Sequence, residues 1–102
     1  MLKTNSGYGV VLRVELPKRP GMLGKVLSVI GRAGGSMGAI DIVGFKGGCV
    51  IRDIDASVAD LDTAKLIVAA VRRIKDITVL NVADRTLLIH QGGKIGLKSR
   101  VP

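Results

Sequence analysis

The sequence predicts an α+β fold, in which a four-stranded antiparallel sheet carries two helices on one face. Three observations lead to this prediction. Four stretches are rich in β-branched residues, and the first of them alternates between apolar and polar residues, as half-buried strands do. Two other stretches have apolar residues every three or four positions, which is typical of amphipathic helices. Their order along the 102 residues is strand, helix, strand, strand, helix, strand.

The first half of the chain supplies one strand and one helix. A strand is predicted over residues 9–16, and Pro17 and Pro20 end it because proline cannot donate to a sheet ladder. A helix is predicted over residues 22–33. Gly34 and Gly35 follow it and supply the left-handed residue that commonly closes a helix. The apolar stripe of this helix consists of Leu23, Val26, Leu27 and Ile30.

The second half supplies a hairpin, a helix and a strand. The hairpin strands are predicted over residues 37–45 and 49–58, with a glycine-rich turn at residues 44–48. The second helix is expected to begin at Asp60 as its N-cap and to run through Lys75. Its apolar stripe consists of Leu61, Ala64, Ile67, Val68, Val71 and Ile74. The remaining elements are a fourth strand over residues 77–82, a short fifth strand over 86–90 and a Gly- and Lys-rich tail.

This order corresponds to the ferredoxin-like βαββαβ arrangement. With the usual right-handed crossovers, both helices lie on the same face of the sheet. The other face carries apolar residues such as Val11 and Val43, so we expect a dimer partner or a second domain to cover it. Residues 1–8 show no period and are expected to fray.

The composition narrows the cellular setting. Hydrophobic residues make up 47% of the chain and aromatic residues only 2%, so the core of this single domain must be aliphatic. The sequence contains no apolar run near the ~20 residues of a membrane span, and its first residues do not resemble a secretory signal. Because Cys49 is the only cysteine, no intrachain disulfide can form, and we expect a cytoplasmic protein.

The net charge of +8 raises the possibility of nucleic-acid binding. Charge alone gives only non-specific affinity, and RNA-binding sheets also need exposed aromatic residues for base stacking. Tyr8 and Phe45 are the only aromatic residues. We therefore expect a solvated basic surface and no nucleic-acid partner.

Catalytic and metal-binding patterns are sparse in this sequence. Asp53 and Asp55 share one face of a strand and could form an acid/base or metal pair, but a solvated strand edge screened by Arg52 is the simpler interpretation. His90 has no second histidine, and Cys49 has no partner for a metal or redox site. No glycine-rich nucleotide loop follows a strand. We expect no catalytic residue, metal or cofactor in this chain.

The turn between the first strand and the first helix is the best candidate for a ligand site. Lys18 and Arg19 place positive charge beside the amides of Gly21, Met22 and Leu23, which begin the helix. Gly21 would permit close approach of a ligand. These residues fit a small anionic or zwitterionic ligand, and they fit a simple strand-to-helix turn equally well.

The segment LPKRPGMLGKVLSVIGRAGGSMGAIDI resembles the ACT domain, a small-ligand-binding regulatory module, and the resemblance covers residues 9–83. It implies that domains pair, and that an amino acid or similar metabolite binds between the turn and the second strand of a neighbouring subunit. The site residues implied are Lys18, Arg19, Pro20, Gly21, Met22, Leu23, Ser36 and Ile40.

Family members usually have Asp or Asn at the position of Lys18, and many have Asn at that of Ser36. Lys18 favours an anion such as a dicarboxylate. The alternative is a purely structural oligomerisation domain.

The runs AIDIV and VLNVADRTLLIHQGGKI and the terminal KSRVP look like the N-terminal region of bacterial NAD-dependent malic enzymes. This similarity implies that residues 84–102 lead into a downstream catalytic domain that oxidises and decarboxylates malate with NAD and a divalent metal. None of the tyrosine, lysine, metal-ligand or nucleotide-binding residues of that domain is present here. The chain itself is therefore expected to be a regulatory part, without catalysis of its own.

Overall fold

The predicted order of elements is confirmed in a computed structural model, which describes residues 8–84. The elements are β1 (Tyr8–Pro17), α1 (Met22–Arg32), β2 (Ser36–Lys46), β3 (Cys49–Val58), α2 (Leu61–Arg72) and β4 (Thr78–Asp84). The strands form one sheet in the order β2-β3-β1-β4, and all neighbours are antiparallel. This is the ferredoxin-like α+β fold. The predicted fifth strand at 86–90 lies outside the described residues, as do residues 1–7 and the tail.

The core lies between the two helices and one face of the central strands. Alternate residues of β1 and β3 are at most 5% exposed, because a period of two places them on the helix side. They are Val10, Leu12, Val14, Leu16, Val50, Ile54, Ala56 and Val58. The helices bury Met22, Val26 and Ile30 from α1 and Ala64, Ile67 and Val71 from α2. Each large aliphatic side chain buried in this way contributes about 1.5–3 kcal/mol, which docks two helices that would be marginal alone.

The residues at the centre of each predicted apolar stripe are buried, as expected, whereas those along its margins are not fully buried. Leu23, Leu27, Val68 and Ile74 are only partly buried and pack against the edge of the core. Leu61 was expected to be in the core and is 43% exposed. It is the first residue of α2, and the first buried residue of that helix is Ala64, about one turn further along.

The two helices end in different ways. Glycine closes α1: Gly34 has a φ of +107°, and the amide of Gly35 bonds the carbonyl of Ile30 at 3.0 Å. The predicted N-cap of α2 is confirmed, since an Asp60 carboxylate oxygen accepts from the Thr63 amide at 2.8 Å. The predicted end of α2 at Lys75 is wrong. The helix stops at Arg72, and Asp76, with a φ of +70°, turns the chain into β4.

Strand β2 is an edge strand with two irregularities. Its pairing with β3 shifts between Met37 and Ile40 and again between Ile42 and Gly44. At these shifts the two-residue alternation of faces is interrupted, and Ile42 and Val43 are both exposed, at 54% and 44%. The hairpin turn consists only of Gly47 and Gly48, which is shorter than predicted, with Gly47 at a φ of +60°.

The face of the sheet away from the helices is charged as well as apolar. Asp53 is 8% exposed, and both of its carboxylate oxygens accept from Arg13, at 2.8 and 3.0 Å. This hydrogen bonding raises the pKa of Arg13 above its ordinary value. The expectation of a solvated strand edge screened by Arg52 is therefore wrong. Strand β3 is an interior strand, Arg13 on β1 is the partner, and Arg52 lies on the opposite face.

Candidate functional site

The β1–α1 turn, residues 18–21, rests on the β2–β3 hairpin turn. The Lys18 amide donates to the carbonyl of Gly48 at 2.9 Å. The Arg19 amide donates to the carbonyl of Pro17 at 2.8 Å, and the Met22 amide donates to the carbonyl of Arg19 at 3.4 Å. The Met22 amide, which was expected to be free for a ligand, thus has a partner inside the turn.

Gly21 is required by the conformation of the turn. It is the N-cap of α1 with a φ of +86°, in the left-handed region that side chains disfavour. A Cβ atom built on Gly21 would meet no atom within 4 Å, so no close backbone or side-chain contact dictates glycine here. Gly21 and the neighbouring Pro20 are both exposed, which leaves this side of the turn accessible.

The two cationic side chains of the turn engage different parts of the fold. A terminal guanidinium nitrogen of Arg19 contacts a carboxylate oxygen of Asp76 at 3.2 Å and the Met22 sulfur at 3.5 Å. The Nζ of Lys18 lies 5.7 Å from the ring centroid of Phe45 on β2. Arg19 therefore reaches the α2–β4 connection, and Lys18 reaches the edge strand.

A cavity of about 250 Å³ lies between the turn and strand β3. Four of the predicted ligand residues line it, namely Lys18, Arg19, Met22 and Leu23. Pro20 and Gly21 do not line it. Gly21 instead borders a separate, open depression along the exposed side of α1. We call the 250 Å³ space the turn cavity.

The turn cavity contains one residue that the sequence analysis did not assign to a site, Arg52. It faces the helix side of β3, with Val14 and Ile42 as its cross-strand neighbours. Its Nε is buried and has no hydrogen-bond partner within residues 8–84. The available signal was the alternation of β3, in which Arg52 interrupts the apolar set formed by Val50, Ile54 and Ala56.

The remaining predicted ligand residues lie elsewhere in the chain. Ser36 is exposed at the start of β2 and pairs with Ser57, whereas the turn adjoins the other end of the strand, near Lys46. Ten residue steps at ~3.3 Å place Ser36 roughly 30 Å along the strand from that end. Ile40 is half-buried opposite Ile54. A single chain therefore brings together the turn residues and Arg52, but not Ser36.

The part of the chain that the structure describes contains no group of three or more His, Cys, Asp or Glu residues that could hold a metal ion. Cys49 is a free, half-buried thiol at the start of β3. No helix among these residues is both long and apolar enough to cross a membrane. The turn cavity, with its three cationic side chains, is thus the strongest candidate site in residues 8–84.

Comparison with known proteins agrees with the fold. The ACT domain family matches residues 4–81. The chain is similar to NAD-dependent malic enzyme from Geobacillus stearothermophilus, with 32% identity over 101 residues, which is 99% of this chain and 21% of that protein. It is also similar to NAD-dependent malic enzyme 1 from Bacillus subtilis (strain 168), with 35% identity over 92 residues, which is 89% of this chain and 21% of the relative. The chain therefore spans about a fifth of the length of these two proteins.

Proposed function

Because the chain belongs to the ACT domain family, we propose that it is a regulatory, dimerising domain that binds a small amino acid or dicarboxylate at the β1–α1 turn. We infer further that it regulates a malic-type enzyme, as the names of the two relatives suggest. In that protein a downstream domain would carry out the NAD- and metal-dependent oxidative decarboxylation of malate. The present chain would contribute regulation and no catalytic residue, and it would act in the cytoplasm.

The observation that carries the ligand proposal is the charge of the turn cavity. Lys18, Arg19 and Arg52 line it, and no carboxylate does so within the described residues. A small space with an excess of positive charge favours an anionic ligand over a neutral or cationic one. This agrees with Lys18, which stands where the family usually has an acidic or amide residue.

The position of Ser36 supports a site shared between two copies. Ser36 and the turn adjoin opposite ends of β2, so they cannot meet within one chain. If the outer edges of two β2 strands pair antiparallel, the start of each strand lies beside the end of the other. Ser36 and Ile40 of one copy would then approach the turn of its partner. Strand β2 has eleven residues, and its outer edge has no partner strand among the described residues. With Met37, Ile42 and Phe45 exposed, it is suited to such pairing.

Ligand binding at this shared site would regulate the enzyme through subunit pairing. A ligand that contacts both copies binds the paired state more tightly than the separate state, and so shifts the equilibrium toward pairing. Couplings of this kind are typically ~1–3 kcal/mol. The same change in pairing would alter the activity of the downstream catalytic domains.

A purely structural domain is the second candidate function. The apolar residues exposed along β2 favour it, because their burial between two copies would stabilise a dimer without any ligand. In that case the turn would serve only to connect β1 to α1.

A thermal-shift panel of amino acids and C4 dicarboxylates tests the proposal. At a hundredfold excess over its Kd, a ligand stabilises the folded state by ~2.7 kcal/mol. Arg19→Ala and Gly21→Val should abolish the response and leave dimerisation, measured by light scattering, intact. Lys25→Ala, on the exposed side of α1, is the matched control and should respond as the parent chain does. If no compound shifts the melting temperature and the two turn variants disrupt assembly, the structural role is the correct one.

A further inference from the structure

The residues of β3 that line the turn cavity, Val50 and Arg52, indicate the chemical class of the ligand. We propose that Arg52 holds a carboxylate of the ligand, and that the turn cavity of each chain binds a dicarboxylate. The proposal rests on the proposed function, in that it assumes an effector binds at the turn. It adds to that function an anchoring residue on β3 and a preference for two carboxylates over a zwitterion.

The first support is the Nε of Arg52, one of the donors of its guanidinium. Its Nε is buried without a hydrogen-bond partner in residues 8–84, beside the fully buried Val14. A buried cationic N–H without a partner is unfavourable and is rarely left so in a folded protein. Arg13, on the adjacent strand and the opposite face, shows the satisfied state, with two nitrogens donating to Asp53. Within residues 8–84, Arg52 has no ion pair of the kind that Arg13 makes with Asp53.

The second support is the absence of a competing carboxylate. Among the described residues that line the turn cavity, none is acidic. Asp76, the carboxylate that engages Arg19, is 44% exposed and does not line the cavity. A ligand carboxylate can therefore reach Arg52 without displacing a protein partner. The planar guanidinium presents parallel N–H donors that match the two oxygens of a carboxylate.

The turn side of the cavity is also positively charged and can bind a second carboxylate of the ligand. Lys18 lines the turn side of the cavity, and α1 begins there with no side-chain cap and no acidic residue in its first turn. The dipole of a helix start adds to the attraction for an anion. The cavity of about 250 Å³ is smaller than the ~300–1,000 Å³ of sites for drug-sized molecules. A short dicarboxylate fits these features.

The same charges disfavour an α-amino group. An ammonium group in the cavity would face Lys18, Arg19 and Arg52 without an acidic partner among the described lining residues. Like charges at short range in a partly desolvated site repel, so an amino acid should bind less well than the dicarboxylate of the same length. Succinate and L-aspartate form this matched pair.

Calorimetric titration of the 102-residue chain with succinate, L-aspartate, acetate and inorganic phosphate tests the inference. We expect succinate to bind at least tenfold more tightly than the other three. Arg52→Gln should weaken succinate at least tenfold, and Arg52→Lys, which keeps the charge but loses the planar fork, should recover part of the affinity. Arg73→Gln is the matched control, because Arg73 is exposed at the end of α2 and does not line the cavity. It should bind succinate as the parent chain does.

The possible outcomes separate this inference from the proposed function. Unchanged succinate affinity in a folded Arg52→Gln variant overturns the role of Arg52. Equal or tighter binding of L-aspartate, or phosphate binding as tight as succinate, overturns the dicarboxylate preference. In each case a response that depends on Arg19 would leave the regulatory proposal standing. If no probe and no amino acid binds, both proposals fail. Circular dichroism checks folding, and Arg52→Lys decides the matter if Arg52→Gln does not fold.

Discussion

Arg13 and Arg52 occupy adjacent central strands and have opposite environments. Arg13 donates to Asp53 on the face away from the helices, and both side chains are less than one-fifth exposed. Arg52 is on the helix side, with a buried Nε that has no partner in the described residues. The same side chain is therefore stabilising on one face of the sheet and unfavourable on the other.

Replacing each arginine with methionine should change stability in opposite directions. Arg52→Met removes a buried, unpaired donor and should raise the free energy of unfolding by about 1 kcal/mol. Arg13→Met leaves Asp53 buried without its cation and should lower it by about 2 kcal/mol. Urea unfolding of the two variants and the parent chain measures both. A loss of stability in Arg52→Met would mean that water or another group already satisfies the guanidinium.

Asp60 makes the stability of α2 depend on pH. Hydrogen bonds from the Thr63 amide and hydroxyl lower the pKa of Asp60 below the unfolded value of 3.8. A lowered folded pKa means that the stabilisation is complete above pH 3.8 and is lost as the pH falls through the folded value. Asp60→Ala should therefore be less stable than the parent chain at neutral pH, and the difference should shrink below pH 3.8. Thermal unfolding between pH 2 and 7 tests this, with Asp62→Ala, at an exposed position in the first turn, as control.

At the scale of elements, two glycines at the start of α1 have different roles. Gly21 needs a positive φ, whereas Gly24 lies within the helix, where a Cβ would meet no atom within 4 Å. The backbone conformation thus requires glycine at the first position and not at the second.

Alanine at each position should show this difference. Gly21→Ala should lower the free energy of unfolding by about 1 kcal/mol, because a side chain is disfavoured in the left-handed region. Gly24→Ala should raise it by about 0.5–1 kcal/mol, since alanine is the better helix former. Chemical denaturation measures both changes. Equal effects of the two substitutions would contradict the assignment of Gly21 as a conformational glycine.

The element boundaries that could not be predicted have tertiary causes. The apolar pattern of α2 continues through Ile74, so periodicity alone cannot reveal that Asp76 turns the chain away. The irregularities of β2 arise at the edge of the sheet, where one ladder is missing and bulges are tolerated. The apolar residues Ile42 and Val43 do not reveal from sequence alone that their strand lies at the edge of the sheet.

At the scale of the molecule, the order of elements and the core followed from the sequence because alternation in β1 and helical spacing in α1 and α2 are local signals. The candidate site could be predicted less completely from the sequence. Lys18 and Arg19 were proposed from their place before a helix, whereas Arg52 was considered only as a charge that screens Asp53 and Asp55. Only the pairing of β3 with β1 shows that Arg52 is opposite Val14. The distance between Ser36 and the turn likewise depends on the hairpin geometry.

The contact between Arg19 and Asp76 joins parts of the chain that are 57 residues apart. It is exposed, and such pairs contribute only ~0.2–1 kcal/mol, so thermal motion can open it. Arg19 borders the turn cavity and Asp76 precedes β4, the last strand described. An anion that enters the cavity competes with Asp76 for the same guanidinium. Occupancy of the turn would then free Asp76, the residue at which the chain turns into β4.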